Sequence, residues 1–184
     1  MFNPPIAGGN LDNPTSPYGT SIGVFTHEST LPIYLGMKFF LYSENLNPTQ
    51  LKRRAPEHKF LFNAYLPDHT IQFSRFSSQW RGGIASIAPS PGERVWGGVF
   101  EITEEDLKLL DKFEDEVPEG AFRHLEATVI TDDEQRELVK THIAKPIGKF
   151  RVKDHYLDFV LKGISHWNLP EECREMWELF RPKK

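Results

Sequence analysis

Apolar residues occur between residues 38 and 144 in short runs that are separated by turn-forming residues. Short apolar runs bounded by Pro, Gly, Asp and Ser are typical of β-strands. Strands so closely spaced predict a mostly antiparallel sheet or a small barrel. The predicted strands are residues 38–42, 60–66, 70–74, 83–88, 95–102, 122–131 and 136–144.

Other segments show helical signals and make the predicted fold class α+β. One helix begins after Thr103, whose side chain can cap it together with Asp106 three residues on. A second helix is predicted from about Val152 to Leu161, and a third starts near Pro170, both from apolar residues at helical spacing. A short helix follows Asn47, which reads as an N-cap before Pro48.

Composition narrows the function classes. The chain has 184 residues with 22 basic and 26 acidic side chains and a net charge of −4, so neither a nucleic-acid surface nor a basic membrane patch is expected. No apolar run is long enough to span a membrane. The single cysteine, Cys173, excludes an intramolecular disulfide and favours a reducing, cytoplasmic location.

The first 37 residues differ from the rest. They contain no Lys or Arg and many Pro and Gly residues, and they have neither the basic start of a secretory signal nor the arginines of a mitochondrial presequence. The sequence therefore predicts two parts, an N-terminal arm at residues 1–37 and a domain at residues 38–184. The arm either is loose or lies along the domain.

A carboxylate stands at an unusual position of the Thr103 helix. Leu107 and Leu110 define its inward face, and Glu114 continues that face by i+7 and i+4. A desolvated Glu would have a raised pKa, which suits a general base near neutral pH. Alternatively, Glu114 ends the helix and turns out to solvent, as the acidic run from Glu114 to Glu116 also suggests.

The sequence gives little support for a metal, hydrolase or nucleotide-binding site. The seven histidines are scattered without an HxxxH pair, so no metal site is predicted. The chain lacks a nucleophile elbow, a phosphate-binding loop and a dinucleotide fingerprint, and no cofactor is expected. Gly82 and Gly83 indicate a close backbone approach, either to another strand or to a ligand, and Trp80 beside them is a candidate ligand platform.

Five segments, taken in order, resemble the gamma-glutamylcyclotransferase-like family. FFLYSENL resembles the family's opening strand and its Tyr-Gly-Ser-Asn-Leu loop. LDKFED resembles the family's Leu-Asp-x-x-Glu-Gly motif. The family's two Gly-containing strand motifs are similar to WRGGIASI and SPGERVWGGVF. The family also has a Tyr followed by Gly-Leu-Pro, which Tyr156 and Leu169-Pro170 resemble. The segments are residues 39–46, 80–87, 90–100, 110–115 and 156–170, and the resemblance covers about residues 38–181.

The resemblance implies a small mixed β-barrel with flanking helices. It also implies an enzyme that cyclises a gamma-glutamyl amino acid or amine to 5-oxoproline and releases the amine, without metal or cofactor. Glu114 would be the general acid/base, and the enzyme would be of the lyase or acyltransferase type. The partner would be a small gamma-glutamyl substrate, and a homodimer is compatible with the resemblance. The implied substrate-binding residues are Phe39, Phe40, Leu41, Tyr42, Ser43, Glu44, Asn45, Leu46, Gly82, Gly83 and Tyr156.

The chain departs from the family at the loop, where Ser43-Glu44 replaces Gly-Ser. If Glu44 points inward, it should repel a glutamyl α-carboxylate or prefer a cationic group. If it points outward, the backbone amides can still hold the carboxylate. Asp115 replaces the Gly after the base, and Phe122 stands where the family often has Tyr. A non-catalytic small-ligand-binding or interaction domain on the same fold is therefore the alternative function.

Overall fold

The computed structural model describes residues 36–114 and 121–182, without the side chains of residues 113 and 114. The described residues form five strands, four α-helices and one 3₁₀ turn. In chain order they are β1 (Met37–Leu41), the 3₁₀ turn (Glu44–Leu46), α1 (Pro48–Arg54), β2 (Lys59–Ser77), β3 (Gly82–Ile102), α2 (Glu104–Glu114), β4 (Phe122–Thr131), β5 (Arg136–Ala144), α3 (Asp154–His166) and α4 (Glu171–Glu178).

The five strands close into a barrel in the order β1-β3-β2-β4-β5. β1 pairs antiparallel with β3 and parallel with β5, where Phe39 lies opposite Lys140, so the barrel is mixed. β4 and β5 form the predicted hairpin, with Phe122 opposite Ala144 at one end and Ile130 opposite Arg136 at the other. The α+β class and the small, mostly antiparallel barrel with helices are confirmed.

Four of the predicted strands are in fact parts of two longer strands. Residues 60–66 and 70–74 lie in the single strand β2, and residues 83–88 and 95–102 lie in the single strand β3. The predicted turn residues lie at an irregularity in the pairing of β2 with β3. The register shifts there from the pair Pro67–Arg94 to the pair His69–Pro89. Between these pairs, Asp68 has a φ of 55° and its carboxylate accepts a 2.9 Å hydrogen bond from the Gly92 amide. One residue of β2 and four residues of β3 lie between these pairs, and such an irregularity can bend both strands without ending either.

The helix starts follow the capping signals. Asn47 caps α1 by accepting a hydrogen bond from the Thr49 amide at 3.1 Å. At α2, the Thr103 hydroxyl accepts from the Asp106 amide at 3.0 Å, and the Asp106 carboxylate accepts from the Thr103 amide at 3.3 Å. This reciprocal pair is the predicted cap. α3 begins two residues later than predicted, because Lys153 is its extended N-cap residue. It ends five residues later than predicted, at His166.

Aromatic side chains fill the centre of the domain. Phe39 and Phe40 of β1, Phe100 of β3 and Trp177 of α4 are fully buried. Cys173 is buried as well, and burial raises the pKa of its thiol to about 12, which suits an inert core residue. The predicted arm at residues 1–37 lies outside the described residues except for its last two, and its boundary stays a prediction. Within the described residues, no helix has the length and apolarity needed to cross a membrane.

Candidate active site

The loop after β1 is held rigidly by contacts to three other parts of the domain. The Tyr42 hydroxyl donates to the His142 carbonyl at 2.9 Å, and the indole of Trp167 donates to the Leu46 carbonyl at 2.7 Å. The Asn45 side-chain oxygen accepts from the Arg54 guanidinium at 2.8 Å. Each of these residues is buried or half-buried. The loop is therefore held as a fixed structural element.

Ser43 fits this loop without the glycine that the family uses. Its φ is −127°, outside the left-handed region that favours glycine. Its carbonyl accepts from the Leu46 amide at 2.9 Å and so closes the 3₁₀ turn. The replacement of Gly by Ser therefore leaves the backbone of the loop intact.

Glu44 points inward. Its side chain is buried, and the Tyr156 hydroxyl donates to its carboxylate at 2.5 Å. The same hydroxyl accepts from the Ala85 amide at 3.0 Å, so Tyr156 links the loop to β3. Burial and the adjacent Glu44 charge raise the pKa of Tyr156 well above its ordinary value, which keeps the hydroxyl protonated as a donor. Of the two orientations considered for Glu44, the structure shows the one that brings a carboxylate to the predicted substrate site.

A small cavity lies beside this loop, with a volume of about 10 Å³. That is room for about one water molecule. Seven of the residues predicted to bind substrate line it, namely Phe39, Phe40, Leu41, Tyr42, Ser43, Glu44 and Asn45. Sequence reasoning missed the wall formed by Ala85, Thr141 and His142. The signal for Thr141 and His142 was weak, because their place beside the cavity depends on the pairing of β5 in the barrel.

The remaining predicted residues are placed differently. Leu46 is fully buried, and its backbone packs against Gly163 of α3, where a Cβ would stand 2.5 Å from the Leu46 carbonyl carbon. Gly82 and Gly83 pack against the backbone at residues 150–151, and the Gly83 amide donates to the Arg151 carbonyl at 2.8 Å. The close approach at the two glycines is thus to another chain segment. Trp80 stacks on His155 and meets the Tyr156 ring edge-on.

Glu114 is the last residue of α2. Asp106 and Leu110 are buried on one face of this helix, and Glu114 is the next residue at the i+4 spacing. Its helical register is therefore the predicted one. Its side chain lies outside the part that the structure describes, so its role as the base stays a prediction.

A cluster of three polar side chains lies next to the cavity and was not predicted. The Asp111 carboxylate oxygen Oδ1 is 2.8 Å from His124 Nε2 and 2.7 Å from His142 Nε2. His142 also packs its ring against Phe39, with 5.0 Å between ring centroids. Burial raises the pKa of Asp111, but the hydrogen bonds from the two imidazoles outweigh this effect and hold it below its ordinary value. We call these three residues the Asp-His-His cluster.

Comparisons with known proteins agree with the architecture. A model of the AIG2-like family matches residues 94–175. The chain is 27% identical to mouse gamma-glutamylcyclotransferase over 150 residues, which are 79% of each chain. It is 28% identical to the human protein of the same name over 148 residues, 78% of each chain.

Solved structures of similar proteins show the same fold. A structure of a gamma-glutamyl cyclotransferase superposes with a TM-score of 0.74 and 26% identity, covering 81% of this chain and 90% of that one. A Bacillus subtilis protein shares the fold at 16% identity with a TM-score of 0.67. The superposition covers 79% of this chain and 54% of that one. In sequence and in fold, the chain is therefore similar to gamma-glutamylcyclotransferases.

Proposed function

We propose that the protein is a gamma-glutamylcyclotransferase, which converts a gamma-glutamyl amino acid or amine to 5-oxoproline and the released amine. The observation that carries the proposal is the similarity to proteins of that name, which extends over nearly four fifths of the chain. Since the named relatives are enzymes, the alternative of a non-catalytic binding domain is not favoured.

The reaction needs one base and a folded substrate. The α-ammonium gives a proton to Glu114, the neutral α-amine attacks the γ-carbonyl carbon, and a new carbon–nitrogen bond closes the ring. The original amide carbon–nitrogen bond then breaks, and Glu114 returns the proton to the leaving nitrogen. The second proton of the ring nitrogen passes through the same carboxylate to the released amine, which departs as an ammonium ion. Atoms and charge balance without a co-reactant, so this step needs no cofactor. Both reacting groups belong to one molecule, and the protein mainly holds the cyclising conformer.

The rigid loop supplies the binding part of the site. In our proposal its backbone amides hold the glutamyl carboxylate and the γ-carbonyl oxygen, and Tyr156 closes the site from behind through Glu44. The burial of the loop supports this arrangement, whereas the 2.5 Å contact with Tyr156 holds Glu44 inward, where its charge opposes the glutamyl carboxylate. The small cavity also requires that side chains move when a substrate enters. Glu44 is one candidate, because it lines the cavity and is held there by its hydrogen bond from Tyr156.

Release of 5-oxoproline from a panel of gamma-glutamyl amino acids and amines tests the proposal. The wild-type protein should release it, and Glu114→Gln should reduce turnover by roughly 100-fold or more, because an amide cannot transfer the proton. Glu105→Gln, an exposed change on the same helix, is the matched control and should keep full turnover.

Two results would contradict the proposal. Near-normal turnover in Glu114→Gln would remove that residue from the mechanism. Absence of turnover with the whole panel, combined with saturable thermal stabilisation by one of its members, would favour the binding-domain alternative. The lyase or acyltransferase classification and a homodimer stay predictions of the family resemblance, and a cytoplasmic location stays a prediction from the single cysteine.

A further inference from the structure

We propose that the Asp-His-His cluster (Asp111, His124 and His142) is a binding site for a transition-metal dication, with Zn²⁺ as the best-suited probe. The proposal does not depend on the cyclisation reaction. It departs from the sequence analysis, which predicted no metal site because the histidines show no short spacing motif.

The barrel brings the three donors together from three elements. His124 on β4 and His142 on β5 are directly opposite in the antiparallel register, so their side chains emerge on the same face of the hairpin. Their ring centroids are 5.1 Å apart. Asp111 reaches the pair from α2, and its Oδ1 faces both Nε2 atoms.

The donor atoms are close enough to share one ion. The three ligand atoms lie within 4.8 Å of one another. Zinc–nitrogen and zinc–oxygen bonds of about 2.0–2.2 Å place neighbouring ligands of a tetrahedral site roughly 3.4 Å apart. The observed separations of 2.7 and 2.8 Å therefore need to widen by about half an ångström. Rotation of the half-exposed Asp111 and His124 side chains can supply such a movement.

The chemistry of the set favours zinc over calcium or magnesium. Two imidazoles and one carboxylate are the ligands of many zinc sites, whereas calcium and magnesium take oxygen ligands. The Asp111 charge offsets half of the charge of a dication. About two fifths of the Asp111 and His124 side chains are exposed, whereas 9% of His142 is. The cluster thus has one anchored ligand and a side open to solvent, where water can complete a four-coordinate site.

Titration calorimetry of the metal-free, full-length chain with Zn²⁺ tests the site. We expect one ion per chain at micromolar concentrations. His124→Gln, His142→Gln and Asp111→Asn should each weaken binding by about tenfold or more. Glutamine can still donate a hydrogen bond to Asp111 but is a poor ligand for zinc, so it separates metal binding from the hydrogen-bonded cluster. His166→Gln, at an exposed position of α3, is the control and should bind as the wild type does.

Two further measurements keep the test decisive. His124 is exposed, so His124→Gln remains informative if His142→Gln fails to fold. Co²⁺ should give the visible absorption of a four-coordinate nitrogen and oxygen site in the wild type, and this absorption should vanish in His124→Gln. Absence of stoichiometric Zn²⁺ binding, or equal binding by His124→Gln and wild type, would overturn the proposal and leave a cluster held by hydrogen bonds alone.

Discussion

At the residue scale, a single carboxylate changes the character of the candidate site. Glu44 stands where the family has Ser, and the structure buries its side chain against the Tyr156 hydroxyl. A buried carboxylate near bound substrate is weakly screened, because the effective dielectric constant there is far below that of water. Glu44 should therefore repel the α-carboxylate of a gamma-glutamyl substrate more strongly than any surface carboxylate does.

Glu44→Gln should improve substrate binding. Glutamine keeps an acceptor for the Tyr156 hydroxyl and removes only the charge, so we expect KM for a gamma-glutamyl amino acid to fall by roughly tenfold. The turnover number should change little, since the substitution leaves Glu114 untouched. Steady-state kinetics of 5-oxoproline release measure both constants, with Glu126→Gln on the exposed side of β4 as control. A rise in KM would show instead that Glu44 binds the substrate ammonium group.

At the element scale, α2 depends on its first turn. Thr103 and Asp106 cap each other, and the Asp106 carboxylate also accepts from the Glu57 amide at 3.2 Å. Asp106 is buried, so it joins the start of the helix to the segment between α1 and β2. The same helix carries Asp111 of the Asp-His-His cluster and ends at Glu114. The position of Asp111 and of the Glu114 backbone therefore depends on a cap that is local in sequence.

Thr103→Ala should lower the free energy of unfolding by about 1 kcal/mol, the usual effect of losing an N-cap side chain. Thr103→Ser keeps the hydroxyl that accepts from the Asp106 amide and should lose little stability. Urea denaturation of the three proteins measures the difference. Equal stability of the alanine and serine variants would show that the cap contributes nothing to the folded domain.

At the scale of the whole molecule, β1 closes the barrel by pairing with both β3 and β5. The closure depends on a tight approach at Gly97 of β3, where a Cβ would stand only 2.3 Å from the Leu41 carbonyl oxygen. Leu41 directly precedes the loop that contains Glu44. Barrel closure and the position of the candidate site are therefore coupled through a few backbone atoms.

Gly97→Ala should destabilise the domain by about 1–3 kcal/mol or more, because the new methyl group meets backbone that cannot rotate away. Gly148→Ala is the comparison, since a Cβ there is 3.3 Å from the edge of the Phe150 ring. Thermal unfolding should show a clearly lower Tm for Gly97→Ala only. Similar Tm values for the two variants would mean that β1 and β3 separate without penalty at this position.

Much of the fold could be predicted because its signals are local. Caps at Asn47 and Thr103 form between residues two or three positions apart, and the β4–β5 turn was visible in its Asp and Glu residues. The length of β2 and β3 was missed for the opposite reason. Pro67 and Gly92 look like turn residues when each is read alone, and only the pairing of the two strands shows that they lie at an irregularity inside two continuous strands.

The sequence by itself determined the α+β class, the helix starts, the family resemblance and the register of Glu114 on its helix, since each depends on neighbours along the chain or on short motifs. Tertiary structure decided the inward orientation of Glu44 and the meeting of Asp111, His124 and His142. These contacts join residues on different elements, and they exist only once the strand register and the closure of the barrel fix which side chains share a face.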